Sequence, residues 1–134
     1  MTVPGKTPAV PATAAALALV DAVQIDSACP SAMSLVPAPL TVIPPHHGQT
    51  NARLVAHLAL IVPEGCSFGV GYDWRQWEVG KVLVFDDSIG HEARNASAQL
   101  RAVLILDVWN PLLSREARQI GNAMEAAIAR YRAG

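Results

Sequence analysis

The sequence predicts an all-β-dominated domain, an antiparallel sandwich or barrel, with a short N-terminal helix and a C-terminal helix. Three observations carry this. Short apolar and β-branched runs recur between residues 34 and 109 with no helical pattern between them, and strands that are not interleaved with helices pair antiparallel. Turn residues punctuate those runs at Pro37, Pro39, Pro63-Glu64-Gly65, Gly80 and Asn110-Pro111. After Ser114 the apolar residues change to helical spacing.

At the N-terminus, MTVPGKTPAVPATAAALALVDAV resembles a secretory signal in having one lysine before an apolar run. Pro4, Pro8 and Pro11 interrupt it, the unbroken part over 12–20 is short, and no small-x-small cleavage site follows the run cleanly before Asp21. A flexible lead followed by a short helix over about 13–23 is the better reading, since Ala and Leu favour helices and the prolines lie upstream of the first turn. Residues 1–32 are therefore read as a lead and 33–134 as one domain. Strands are expected over 34–36 and 40–43, split by Pro37 and Pro39, which favour edges. A longer strand over 53–62 ends at the turn 63–65, and further strands follow over 67–71, 81–85 and 101–109. Ser114 is placed to cap a helix reaching about Tyr131, with Ile120, Met124, Ala127 and Ile128 on one face. Its arginines Arg115, Arg118, Arg130 and Arg132 read as a solvated face, and the helix is expected to cover one sheet or form a homodimer contact.

Composition narrows the function. The chain has 134 residues, 51% hydrophobic and 16% charged, with a formal net charge of −1. That length suits one domain with a core, and the charge leaves no basic face for nucleic acid or anionic membrane. No run approaches the roughly 18 apolar residues of a bilayer span. Cys29 and Cys66 form no metal-ligand or disulfide pattern and read as free thiols of a reducing compartment, so a cytoplasmic protein is expected. Trp74, Trp77 and Trp109, with no basic stripe beside them, read as core or pocket wall.

All four histidines fall in two short stretches, PPHHGQTNARLVAHL at 44–58 and FDDSIGHEARN at 85–95. His46 lies a few residues before one strand and His91 a few after another, so antiparallel pairing of those strands can bring both imidazoles to one end of a barrel. Two histidines with open positions around them suit a redox-active divalent iron better than a closed zinc site, which takes four protein ligands. The usual arrangement adds a carboxylate two residues after the first histidine, and here that position is Gly48.

The blocks HHGQTNARLVAHL at 46–58, WEVGKVLVFDDS at 77–88, His91-Glu92, Arg101 and DVWNP at 107–111 together resemble the aspartyl/asparaginyl β-hydroxylase family in order and spacing, over roughly residues 34–118. The resemblance implies a double-stranded β-helix, a cupin-like jelly roll, and a dioxygenase using Fe(II), 2-oxoglutarate and O2. It implies iron held by His46 and His91 alone, Gly48 being the family's own state, with His47 at a variable position. It also implies that Arg101 anchors the distal carboxylate of 2-oxoglutarate, a task suited to a planar guanidinium on a strand. It places His57 beside the cosubstrate, and Ser34 within one residue of a serine that helps hold the carboxylate; Arg53 is a further cosubstrate candidate, able to compensate for the charge absent at Val55. The substrate implied is an aspartyl or asparaginyl side chain, free, carrier-bound or in a peptide. The family usually has an arginine where this chain has Val55. Asp86-Asp87 reads as a turn and as outer support for the ligands, because this chemistry needs no carboxylate dyad. The reading from another class is a jelly-roll module that keeps the metal without turnover.

Overall fold

A computed structural model describes residues 38–133, the course of the chain over 32–35, and the single positions Ala15 and Leu19. Apart from Ala15 and Leu19, the expected N-terminal helix lies outside the described residues, as does Cys29. Among the described residues, eight strands and one helix follow in order: β1 (Ala32–Leu35), β2 (Thr41–His46), β3 (Arg53–Ile61), β4 (Cys66–Val70), β5 (Asp73–Arg75), β6 (Val82–Phe85), β7 (His91–Asn95), β8 (Ala102–Trp109) and α1 (Arg115–Ala133).

The strands form two four-stranded antiparallel sheets, ordered β1-β8-β3-β6 and β2-β7-β4-β5. This interleaving of an eight-stranded chain into two facing sheets is a jelly roll. β3 and β8 are long because Val, Leu and Ile suit a pleated, buried surface, and their register runs from Arg53↔Trp109 to Ile61↔Ala102. Strand alternation turns Val55, His57 and Ala59 of β3 and Val103 of β8 inward. There they meet Phe68, Ala93, Trp77 and Phe85 to make the core.

The structure departs from the sequence reading at three elements. β7 is a strand that its sequence does not announce, since HEARN carries no apolar alternation; its inward Ala93 and Asn95 are buried while Arg94 and Glu92 pair at 3.0 Å. β5 escapes the pattern because it is three exposed residues long; the turn before it needs Gly71, whose φ of 57° is left-handed. β2 continues through Pro44-Pro45 to His46, which an edge strand tolerates because a missing N–H there breaks no ladder bond, although the register shifts between Ile43 and His46.

α1 begins as expected, with the Ala117 N–H donating to Ser114 Oγ at 3.2 Å. Its orientation is inverted relative to an ordinary surface helix. The side toward the sandwich carries Arg118, Gly121, Asn122 and Glu125, whereas Ile120 and Met124 are exposed. Among the described residues no helix is long and apolar enough to cross a membrane.

Candidate active site

A cavity of about 350 Å³ opens between the two sheets and gathers His46, Arg53, Val55, His57, Asp87, His91, Arg101 and Asp107 around a wall of Phe68, Trp77 and Phe85. A larger hollow of about 560 Å³ lies across that same wall, with Asp73, Arg75, Glu78 and Lys81 on its rim. The larger hollow holds none of His46, His91 and Arg101, so the residues proposed from sequence gather in the smaller one.

His46 ends β2 and His91 begins β7, and the two are cross-strand partners with ring centroids 4.2 Å apart. The pairing that unites them is therefore β2 with β7, alongside the pairing of β3 with β6. Each ring is held alike: His46 Nδ1 lies 2.9 Å from Pro44 O and His91 Nδ1 lies 3.0 Å from Ile89 O. A carbonyl oxygen only accepts, so each Nδ1 carries its proton and each Nε2 keeps a free lone pair, the tautomer that a metal requires. Among the described residues no cluster of three His, Cys, Asp or Glu is placed to hold a metal.

Gly48 owes its identity to Asp87. A Cβ built at Gly48 would collide with the Asp87 carboxylate, and the Gly48 N–H donates to Asp87 O at 2.6 Å. A ligand side chain at position 48 has no room, because a carboxylate from the β6–β7 loop fills the space. Burial pushes the Asp87 pKa up, against the pull of Arg53, His91 and His46. The pair Asp86-Asp87 thus divides its work. Asp86 Oδ1 accepts from Ser88 N and Oγ at 2.9 and 2.6 Å to shape the turn, and Asp87 turns into the cavity.

Deeper in, Arg101 is 1% exposed and stacks its guanidinium 4.2 Å from the Trp77 ring centroid. Its Nε and Nη1 have no hydrogen-bond partner among the described residues. A buried cation with free donors is costly, and it is a ready anchor for an anion entering the cavity. Trp77 also donates Nε1–H to His57 Nδ1 at 3.4 Å, so the proton of His57 sits on Nε2. Burial, then Arg101, then His91, hold the His57 pKa down to about 4, and the ring is a neutral donor at ordinary pH.

Arg53 lies on the same strand face as Val55 and His57. Its Nη1 reaches Asp107 Oδ2 at 3.3 Å and Glu125 Oε2 of α1 at 3.7 Å. Buried Val55 sits between them, opposite Asp107 in the register.

Of the residues proposed from sequence, His46, His91, Arg101, His57 and Arg53 converge on one cavity. His47 is exposed and does not line it. Ser34, whose side chain is outside the described residues, pairs with Leu104, whereas the cavity-lining Ile105 pairs with Met33. The sequence reading missed the double contact of Trp77 and the reach of Glu125, which no local pattern announces. Asp87 carried a signal: one acidic residue beyond the turn-forming Asp86.

A family profile described as aspartyl/asparaginyl beta-hydroxylase matches residues 2–111. The curated aspartyl/asparaginyl beta-hydroxylases of Mus musculus and Homo sapiens are 45% and 44% identical over 82 residues, 60% of this chain. The match spans only 11% of the length of each. The aspartate beta-hydroxylase domain-containing protein 2 of Mus musculus is 41% identical over 96 residues, 69% of this chain and 27% of that protein. Among solved structures, the Schizosaccharomyces pombe Cnp3 cupin domain aligns with a TM-score of 0.52 at 9% identity, over 78% of this chain and 64% of that one. A Cupin_2 domain of an XRE family transcriptional regulator from Enterobacter cloacae gives 0.50 at 14%, over 59% of this chain and 80% of that one. At such identities these two bear on the fold alone.

Proposed function

The chain belongs to the aspartyl/asparaginyl β-hydroxylase family, and from that premise we propose that it is an Fe(II)- and 2-oxoglutarate-dependent dioxygenase of the cytoplasm. Its reaction is hydroxylation of the β-carbon of an aspartyl or asparaginyl side chain. The observation that carries this reading is the buried Arg101, whose Nε and Nη1 have no hydrogen-bond partner among the described residues, in the cavity lined also by His46 and His91 with their Nδ1 atoms against carbonyls.

The residues present fit the iron and the cosubstrate. His46 and His91 offer two neutral imidazole donors, and Arg101 offers a fork for the far carboxylate of a dicarboxylic acid. When bound, the iron with 2-oxoglutarate and O2 supplies the oxidising power for C–H hydroxylation. The chain's own part is positioning and exclusion of water. Trp77 fixes both Arg101 and His57 from one side, so the anion anchor and the neutral Nε2–H donor keep a constant separation. Phe68 and Phe85 close the wall beside His91, with ring centroids 6.2 and 5.1 Å from its imidazole. Asp87 sits beside the pair and leaves position 48 bare. Arg53, held by Asp107 and Glu125, is the second cation of the cavity for anionic groups, on the same strand face as the Val55 that lacks one.

Anaerobic loading with Fe(II), followed by O2 and 2-oxoglutarate with aspartyl and asparaginyl substrates, should yield succinate. No succinate above a His46→Ala control overturns the reading. Val55 favours one other outcome, in which iron binds and no turnover follows, marking a metal-retaining module.

A further inference from the structure

The polar side of α1 anchors it. Arg118 Nη2 donates to Asn110 O at 3.5 Å, Gly121 brings the helix to within 3.4 Å of the Ala52 Cβ as measured from a built Cβ, and Glu125 meets Arg53. The other side shows solvent a stripe of Ile120, Met124, Ile128 and Tyr131, exposed by 62%, 60%, 41% and 89%. Positions 120, 124, 127 and 131 follow the alternating four-and-three spacing of a helix–helix seam, with Ala123 and Ala127 as small residues between the large ones. The family match ends at residue 111, so this seam lies outside what the chain shares with the profile.

Charge selects the occupant. Glu116 stands in the first turn of α1 and Arg130 in the last. Two heptads separate them, which puts both on the same flank of the stripe. In an antiparallel pair of identical helices related by a two-fold axis, same-flank residues from opposite ends meet. That register brings Glu116 of each copy to Arg130 of the other, sets Ile120 of each against Met124 of the other at the centre, and opposes the helix dipoles. We propose that the outward face of α1 is a self-association surface on which a second copy of this chain packs antiparallel. One helix pair is small for an interface, so the dimer forms in a concentration-dependent way.

Sedimentation of the full chain across a concentration series tests it, with circular dichroism confirming that each variant folds. The wild type should move from one copy to two as concentration rises, and Met124→Glu should stay single. Glu116→Arg and Arg130→Glu should each weaken the dimer about tenfold, and the double variant should restore it, because both symmetric pairs are then remade with reversed sign. A single copy at every concentration overturns the proposal. So does a dimer indifferent to Met124→Glu, or a double variant no stronger than the singles.

Discussion

The mouth and the floor of the cavity are built on opposite principles. At the mouth His46 is exposed, its imidazole and that of His91 held by backbone carbonyls two residues away where the edge strand β2 pairs with β7. At the floor Arg101 and His57 are 1% and 6% exposed and locked by Trp77. On the proposed function, such a mouth would admit the metal, O2 and the substrate side chain, while the floor supplies a buried charge whose desolvation an anion of the right reach would offset. That reading would assign exchange and selectivity to different ends of one hollow.

The largest expected effect breaks the mouth. His91→Ala should reduce bound iron to background by metal analysis of anaerobically loaded protein, whereas Asp87→Ala should retain part of it; equal iron in both would put the ligands elsewhere. Next comes the floor, read through pH. His57 titrates at its ordinary 6.5 when unfolded and at about 4 when folded, so below 6.5 the unfolded chain takes the proton first. Stability of the metal-free protein should therefore fall as pH drops from 6.5 to 4, by on the order of 3 kcal/mol from this group. Thermal melts should show that loss, and His57→Gln should flatten it; an unchanged slope would refute the assignment to His57.

Arg101→Met should weaken 2-oxoglutarate binding by about 1.5–3 kcal/mol, the scale of a charged hydrogen bond, with iron content and fold retained. Calorimetry with the iron-loaded variant decides it, and undiminished affinity would move the anion anchor to Arg53. The smallest effect sharpens the boundary between mouth and loop. Gly48→Ala drives a Cβ into Asp87 and should cost about 1 kcal/mol or more of stability. The same change in an Asp87→Ala background should cost less, and additive denaturation midpoints would show that the two positions do not touch.

Much of the floor and part of the mouth are legible in the amino-acid sequence. The five blocks, 46–58 with His46 and His57, 77–88, His91-Glu92, Arg101 and 107–111, are local strings, and their order along the chain suffices to name a family. β3, β6 and β8 announce themselves because they are dominated by runs of Val, Leu and Ile. β7 does not, since a strand whose partners bury Ala93 and Asn95 needs little hydrophobicity of its own.

What the sequence determined by itself is most of the strands, the turn chemistry and the identity of the polar groups, because each follows from side-chain periodicity and residue type within a few neighbours. Only the tertiary structure decided that His46 meets His91 through β2 and β7, that Asp87 fills the space above Gly48, that Trp77 serves Arg101 and His57 together, and that α1 turns its apolar stripe outward. Those are contacts between groups far apart in the chain, set by sheet register and packing, and no local pattern encodes which distant partner a side chain will find.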